Sequence, residues 1–241
     1  MLHRRIYQFF IIKYVLNLSD YVIPGPSEIW QTGQSVFTRY FFNVIDTLSV
    51  AILGHLLSIC LATIVGIIGR LTLWIGSFIR VAAYNIQAYP IVAVAPIIFI
   101  LLGDGLSSRL MITAMICYFP LLLSFIGILS EPVTEIEHFY EATRRMNWHL
   151  QVKIRAFENA GKITTVIVGS GTLAMVGTIV SEFIAANAGI GHSIRMALYQ
   201  SDLAKILVAL FLIGICTSLY LVFLEGLGQL VQKRLRGKAS S

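Results

Sequence analysis

The sequence predicts an all-α polytopic membrane helix bundle with five to six transmembrane helices, and three observations support this fold class. Hydrophobic residues make up 57% of the 241-residue chain and charged residues only 12%, whereas a soluble domain carries about a quarter charged residues. Several apolar runs reach the length of about 20 residues that crosses the bilayer core. Most basic residues lie at the ends of these runs, which indicates membrane orientation signals and disfavours nucleic-acid binding.

The N-terminal part is predicted to hold a short apolar segment and then a surface helix. Residues 7–18 number only twelve and include Lys13, so they are short for a span. We treat them as retained, because no small-x-small cleavage site of a signal peptide follows. A Pro-Gly-Pro break at 24–26 precedes Ser27, which we predict to cap an amphipathic helix at the membrane surface. These elements define a predicted N-terminal region, 1–42.

Five longer apolar spans follow and define a predicted transmembrane domain over 43–236. They extend over about 44–69, 73–102, 106–129, 163–186 and 203–231. The second span contains Pro90 and Pro96, and the third contains Pro120. Small residues recur every four positions on two spans, at Gly54, Ser58, Ala62 and Gly66 and at Ser170, Ala174 and Thr178. Such stripes let helices approach closely in lipid, so they predict a tight bundle.

The distribution of Lys and Arg predicts the orientation of the chain. Grouping the N-terminus, the 70–80 turn, the segment 131–162 and the C-terminus on one side assigns 13 of the 18 basic residues to that side and leaves 5 on the other. Basic residues accumulate in cytoplasmic loops. The segment 131–162 and the C-terminus are therefore predicted to face the cytoplasm.

The segment 131–162 is a charged island between two spans. It holds five acidic and five basic residues, a third of the 30 charged residues of the chain (18 basic and 12 acidic). A charged, helix-forming loop of this kind indicates a docking element for a partner, since a short helix with exposed Arg and aromatic residues suits a groove. A solvated amphipathic loop without a partner is the alternative.

Within the island the pattern predicts a helix–turn–helix. Thr134 and Glu137 have the spacing of a capping box, and Asn147 is the predicted break because Asn tolerates the left-handed conformation. A second short helix is predicted over 148–157. One apolar face is expected at Phe139, Ala142, Met146 and Leu150.

The island resembles the coupling loop of ABC importer membrane subunits, the binding-protein-dependent permeases. The family pattern is Glu-Ala-Ala, three residues, Gly, nine residues, and then an apolar residue, any residue, Leu and Pro. This chain has Glu141-Ala142-Thr143, Asn147 at the Gly position and Phe157-x-Asn159-Ala160 at the end. It lacks the final Leu-Pro pair.

Other landmarks resemble the nitrate, sulfonate and taurine branch of that family, over about residues 22–236. In chain order they are Pro24-Gly25-Pro26-Ser27-Glu28; Ala88-Tyr89-Pro90 with Pro96 and Gly103; Glu182; Gly189-Ile190-Gly191; Asp202-Leu203; and Ile213-Gly214. Each motif alone is weak, and their shared order is what makes the resemblance specific.

The resemblance implies a type-I ABC importer permease in the bacterial cytoplasmic (inner) membrane. Two copies of the chain would form a path for a small polar or anionic nutrient, such as nitrate, a sulfonate, taurine or a vitamin precursor. The implied partners are membrane lipid, an extracytoplasmic substrate-binding protein, and a cytoplasmic ABC ATPase that carries ATP-Mg, so that no cofactor is expected on this chain. The implied ATPase-coupling residues are Glu141, Ala142, Thr143, Arg144, Arg145, Met146 and Asn147.

Polar residues inside the spans are candidates for the translocation path. Ionisable groups in lipid are costly and often functional, which selects Glu182, with a helix-bridging ion pair as the equal alternative. For His55 and Glu225, which also lie in the spans, we predict structural roles. Around Pro90, which frees a backbone carbonyl of the preceding turn, we expect Asn85, Gln87 and Tyr89 to line a cavity.

Two other functions stay open as alternatives: a non-transporting membrane anchor for an ATPase, and an intramembrane enzyme. The chain has no nucleotide-binding loop, since Gly161-Lys162 lacks the earlier glycine and is followed by Ile163. No HExxH or Gly-x-Ser-x-Gly motif is present, so we predict no catalytic residue. The three cysteines lie in separate apolar runs, and we predict no metal site.

Overall fold

The computed structural model describes residues 24–239, and every regular element in them is an α-helix, which confirms the predicted fold class. The helices are α1 (Pro26–Ile68), α2 (Leu73–Gln87), α3 (Ile91–Leu102), α4 (Leu106–Ser130), α5 (Thr134–Ala142), α6 (Trp148–Glu158), α7 (Ala160–Ile184), α8 (Gly189–Tyr199) and α9 (Leu203–Ala239). The predicted segment 7–18 lies outside this part. Within it, α1, α4, α7 and α9 are long and apolar enough to cross a membrane, and α2 with α3 forms a fifth, bent candidate.

Helix α1 merges two elements that the sequence pattern separates. It runs for 43 residues without a break, about 65 Å at 1.5 Å per residue, so it extends well beyond a bilayer core of about 30 Å. The predicted surface helix is its first part, and the domain boundary predicted at 42/43 falls inside it. The predicted cap at Ser27 is wrong: Gly25 is the N-cap and Pro26 begins the helix, where its fixed φ suits the first turn.

The span predicted over 73–102 is broken rather than continuous. Helices α2 and α3 meet at an angle of 89°, and Pro90 is the N-cap of α3. Proline has no backbone N–H and clashes with the preceding turn, and it drives the residue before it out of the helical region. Pro96 and Pro120 lie inside α3 and α4 without ending them, so the break belongs to Pro90 alone.

The small-residue stripes of α1 and α7 are buried inside the bundle, which agrees with the predicted tight packing. Gly54, Ser58, Ala62 and Gly66 are all buried, and so are Ser170, Ala174 and Thr178. A methyl group on Gly54 would lie 2.6 Å from Thr113 Cγ2 of α4, which is far inside van der Waals contact. The close approach of α1 and α4 therefore depends on a glycine at this position.

Replacing Gly54 with valine is expected to destabilise the bundle by about 1–3 kcal/mol, the usual cost of overpacking. Gly127→Val in α4 is the matched control, because Gly127 is exposed and a Cβ there would meet nothing within 4 Å. The thermal midpoint of each purified variant in detergent checks this. Equal midpoints for the two variants would show that the α1–α4 contact is looser than the structure indicates.

Candidate functional site

The charged island folds into a hairpin of two short helices, α5 and α6, between α4 and α7. The second helix, predicted over 148–157, is confirmed as Trp148–Glu158. The turn differs from the prediction: Arg144 has the left-handed conformation, with φ 53°, and Asn147 is extended. Asn147 Oδ1 accepts a hydrogen bond of 2.8 Å from the Leu150 N–H. Asn147 is thus the N-cap of α6, a role in which its short polar side chain satisfies a free backbone donor.

The start of α5 also differs from the prediction. Val133 is its N-cap, and Thr134 is the first helical residue and does not cap the helix. Glu137 nevertheless reaches back, because its Oε1 accepts from the Val133 N–H at 3.2 Å. The expected single apolar face does not form, since α5 ends at Ala142, and both Phe139 and Ala142 are exposed.

The seven predicted coupling residues lie together at the turn of this hairpin, which we call the hairpin tip (residues 141–147). All are exposed except Met146, which is half-buried. Phe139, two residues before the tip, is 64% exposed. Arg144 and Arg145 turn back over the end of α5, their N–H groups donating to the carbonyls of Glu141 at 2.9 Å and Tyr140 at 3.0 Å. The tip is a compact, ordered surface that offers charges of both signs.

The base of the hairpin carries a buried ion pair that the sequence pattern did not single out. Arg155 Nε donates to Glu137 Oε1 at 2.5 Å, and Arg155 Nη2 donates to Glu137 Oε2 at 2.7 Å. Arg155 Nη1 also donates to the carbonyls of Leu129 and Ser130, each at 3.1 Å. The hydrogen bonds from Arg155 lower the pKa of Glu137 to about 2, so this carboxylate stays ionised at neutral pH.

At the opposite end of the bundle Glu182 is fully buried in an ionic cluster. Arg109 of α4 bridges two carboxylates through Nη2, donating to Glu182 Oε1 and, at 2.7 Å, to Asp46 Oδ2 of α1. Glu182 Oε2 accepts from Thr47 Oγ1 at 2.8 Å and from the Gly191 N–H at 3.0 Å. The cluster therefore joins α1, α4, α7 and the N-terminus of α8. This arrangement agrees with the alternative interpretation of Glu182, in which its carboxylate bridges helices.

Two glycines at the start of α8 make room for this carboxylate. Gly189 has φ +88°, and a Cβ there would lie 2.1 Å from Glu182 Cδ. A Cβ on Gly191 would lie 2.5 Å from the Ile179 carbonyl oxygen. The Gly-Ile-Gly segment thus leaves space for the Glu182 carboxylate. Free N–H groups at a helix N-terminus favour an anion at this position. Sequence reasoning found Glu182 and the turn separately and missed Asp46, Thr47 and Arg109.

The other three path candidates lie elsewhere, at the break between α2 and α3. Asn85, Gln87 and Tyr89 are all exposed, and Tyr89 is 69% exposed. Asn85 Nδ2 donates to the Val81 carbonyl at 3.0 Å. None of the three is among the groups that contact Glu182 in the described part of the chain.

His55 lies in a polar chain that connects three helices, whereas Glu225 is exposed on α9. The His55 ring is fully buried, with Nδ1 at 2.7 Å from Tyr220 Oη and Nε2 at 2.7 Å from Ser170 Oγ. Ser170 donates its own proton to the Ile167 carbonyl at 2.8 Å. It follows that Nε2 donates to Ser170 and that Nδ1 accepts from Tyr220. Both ring nitrogens are satisfied, which agrees with the predicted structural role.

Comparisons with known proteins agree with a membrane transport protein. The profile of a family described as the binding-protein-dependent transport system inner membrane component matches residues 58–237. The chain is 35% identical over 145 residues to the riboflavin transport system permease protein RibX of Chloroflexus aurantiacus, covering 58% of this chain and 52% of that protein. The aligned part thus spans about half the length of RibX.

Two further relatives align over more of their length. The formylaminopyrimidine transport permease protein ThiX of Halalkalibacterium halodurans is 23% identical over 200 residues, 81% of this chain and 78% of ThiX. A probable ABC transporter permease protein of Haemophilus influenzae is 24% identical over 219 residues, 85% of this chain and 84% of that protein. All three carry the name of a permease, and none is named as an enzyme.

Proposed function

Because the chain belongs to the family of binding-protein-dependent transport system inner membrane components, we propose that it forms the translocation path of an importer driven by a separate ATPase. It is an integral inner membrane protein and not an enzyme. The observation that carries the proposal is the exposed hairpin tip, held rigidly at its base by the Arg155 contacts. ATP hydrolysis takes place on the partner, and an external binding protein delivers the cargo.

The hairpin tip has the features of a surface that docks in a groove. It is short and helical, it exposes Phe139 beside the tip, and it presents Glu141 next to two arginines. Aromatic and Arg side chains dominate binding energy at interfaces, and a short helix is a common groove ligand. We assign the tip to the cytoplasmic side, in agreement with the excess of Lys and Arg there.

The α2–α3 break supports a path completed by a second copy of the chain. Irregular backbone at membrane depth is tolerated where protein or a water-filled cavity covers it, and not against lipid. Asn85, Gln87 and Tyr89 at the break are exposed in a single copy, and exposed amides in lipid would be costly. Two copies facing each other across this break would enclose these groups around a polar channel.

For the cargo we propose a small nitrogen heterocycle of the vitamin or vitamin-precursor class. The names of two relatives specify riboflavin transport and formylaminopyrimidine transport. The amides of Asn85 and Gln87 can donate and accept hydrogen bonds, and Tyr89 offers an aromatic face next to them. These uncharged groups suit a flat heterocycle better than they suit nitrate or a sulfonate.

Uptake by the natural host, with this chain present or deleted, tests the proposal. The probes are labelled riboflavin, formylaminopyrimidine, taurine and nitrate. We expect deletion to abolish ATP-dependent uptake of one of the two heterocycles and to leave taurine and nitrate unaffected. A chain that retains an ATPase on purification but shows no cargo-dependent ATP turnover would be a membrane anchor.

Replacing Gln87 with alanine is expected to lower that uptake about fivefold, the effect of losing one hydrogen bond of about 1 kcal/mol to the cargo. Asn85→Ala is expected to act in the same direction. Gln229→Ala is the matched control, because Gln229 is equally exposed but lies on α9, away from the break. Uptake per permease molecule is the measurement, and an unchanged rate in both break variants would remove them from the path.

A further inference from the structure

The base of the hairpin connects the docking tip to the membrane helices through one guanidinium group. We propose, building on the proposed function, that Arg155 and Glu137 are positioning residues for transport. They turn movement of the hairpin tip into movement of α4 together with α7, and they do so without touching the partner ATPase.

The Arg155 side chain, which belongs to α6, contacts two other elements, α5 and α4. Its two contacts to Glu137 join α6 to α5, and its two contacts to the carbonyls of Leu129 and Ser130 join α6 to the last turn of α4. The carbonyls of a last helical turn have no partner within their own helix, so the guanidinium also caps α4. Arg155 and Glu137 are 5% and 6% exposed, which leaves no surface for a docked protein.

No other polar contact of the described residues attaches the hairpin to α4 as closely. The ion pair of Lys162 with Glu131 joins α7, and not the hairpin, to the residue that follows α4; it is about half exposed on both sides, and exposed pairs contribute little. Beneath α6 lies an apolar cavity of about 110 Å³, whose lining includes Val152, Ala156 and Phe125. Packing of α6 on the bundle is therefore incomplete, and the Arg155 contacts carry much of the attachment to α4.

The chain itself supplies the connection of the hairpin to α7. Helix α6 ends at Glu158 and α7 begins at Ala160, with Asn159 alone between them. At their far ends α4 and α7 are joined again by the Arg109–Glu182 pair. The two helices are thus joined at both ends. A displacement of the hairpin tip therefore moves α4 and α7 as one body, and it reaches the Glu182 cluster and α8 through the Arg109–Glu182 pair. Removing the Arg155 side chain would remove the hydrogen bonds that attach the hairpin to the last turn of α4.

The test uses the complete transporter, purified with its ATPase, and two conservative variants. Arg155→Lys keeps the charge but loses the planar fork that serves α5 and α4 at once. Glu137→Gln keeps the shape of the side chain and one hydrogen-bonding oxygen, and serves as the milder variant if Arg155→Lys does not accumulate. Lys162→Gln is the control, since it removes the exposed pair between α7 and the residue that follows α4. The tip residues 141–147 stay intact in all three.

We expect the Arg155→Lys and Glu137→Gln variants to retain the ATPase at the wild-type ratio and to hydrolyse ATP. Uptake of the probe that the wild type accumulates should fall at least tenfold, and ATP turnover should lose its dependence on cargo-loaded binding protein. Lys162→Gln should behave like the wild type. The readout is cargo imported per ATP hydrolysed, which a merely structural defect would leave unchanged.

Two results would overturn the proposal. One is uptake that falls in proportion to the ATPase retained, since Arg155 would then serve docking or stability only. The other is normal cargo imported per ATP in both variants. Absence of ATPase from the purified wild type would instead refute the proposed function itself, so the two failures are distinguishable.

Discussion

Replacing Glu141 with lysine is expected to lower both ATPase retention and uptake about tenfold or more. Glu141 is exposed at the hairpin tip, and no ion pair within the described residues occupies it. Its carboxylate is therefore available to a basic group in the partner groove. A like charge placed against such a group costs several kcal/mol, and each 1.4 kcal/mol is a factor of about ten in affinity.

Glu158→Lys is the matched control, because Glu158 is equally exposed at the end of α6 but lies outside the tip. We expect this variant to retain the ATPase and to transport normally. The ratio of ATPase to permease after purification, with uptake measured in the same cells, gives the answer. If Glu141→Lys and Glu158→Lys behaved alike, the tip would not be the docking surface.

Replacing Arg109 with methionine is expected to destabilise the protein by about 3–5 kcal/mol, the usual cost of breaking a buried ion pair by removing one partner. The variant leaves the Glu182 carboxylate, which is fully buried, without the Arg109 guanidinium that pairs with it. The N-terminus of α8 is seated on that carboxylate through the Gly191 N–H, so α8 is expected to detach first. Equilibrium unfolding in mixed micelles measures the loss.

The double variant Arg109→Met with Glu182→Gln separates the ion pair from the loss of packing. It removes both charges, so it is expected to recover part of the stability, and the cycle of single and double variants isolates the coupling. Lys205→Met is the control, since the Lys205–Asp202 pair is about 30% exposed on each side and should be worth under about 1 kcal/mol. An Arg109→Met variant as stable as this control would contradict the buried cluster.

The sequence predicts the membrane helices well because length and hydropathy are local properties. Three prolines interrupt apolar runs, yet only Pro90 ends a helix, while Pro96 and Pro120 are accommodated inside α3 and α4. Which proline breaks a span depends on the neighbours that satisfy the freed backbone groups, and a local pattern does not contain them. The predicted surface helix and the first predicted span differ in composition, yet they form one continuous helix, α1. A local pattern does not show this continuity either.

The candidate sites are predictable from the sequence to different degrees. The coupling residues are contiguous in the chain, so a local motif is enough to identify the hairpin tip. Asp46, Arg109 and Glu182 lie far apart in the chain, and each reads singly as a charge near the end of a span. Their pairing depends on how α1, α4 and α7 pack, as does the pairing of Glu137 with Arg155. The predicted turn is wrong at Asn147 because an Asn side chain can cap a helix as well as adopt a left-handed conformation.

We propose that a cytoplasmic ATPase holds this permease at the hairpin tip. The side of the membrane on which the tip lies tests this proposal most directly. A single cysteine at Glu141→Cys, with Cys60, Cys117 and Cys216 replaced by serine, is exposed to a membrane-impermeant maleimide. We predict labelling in inside-out vesicles and none in intact right-side-out vesicles. Labelling in right-side-out vesicles would place the tip outside, away from any ATPase, and would contradict the account.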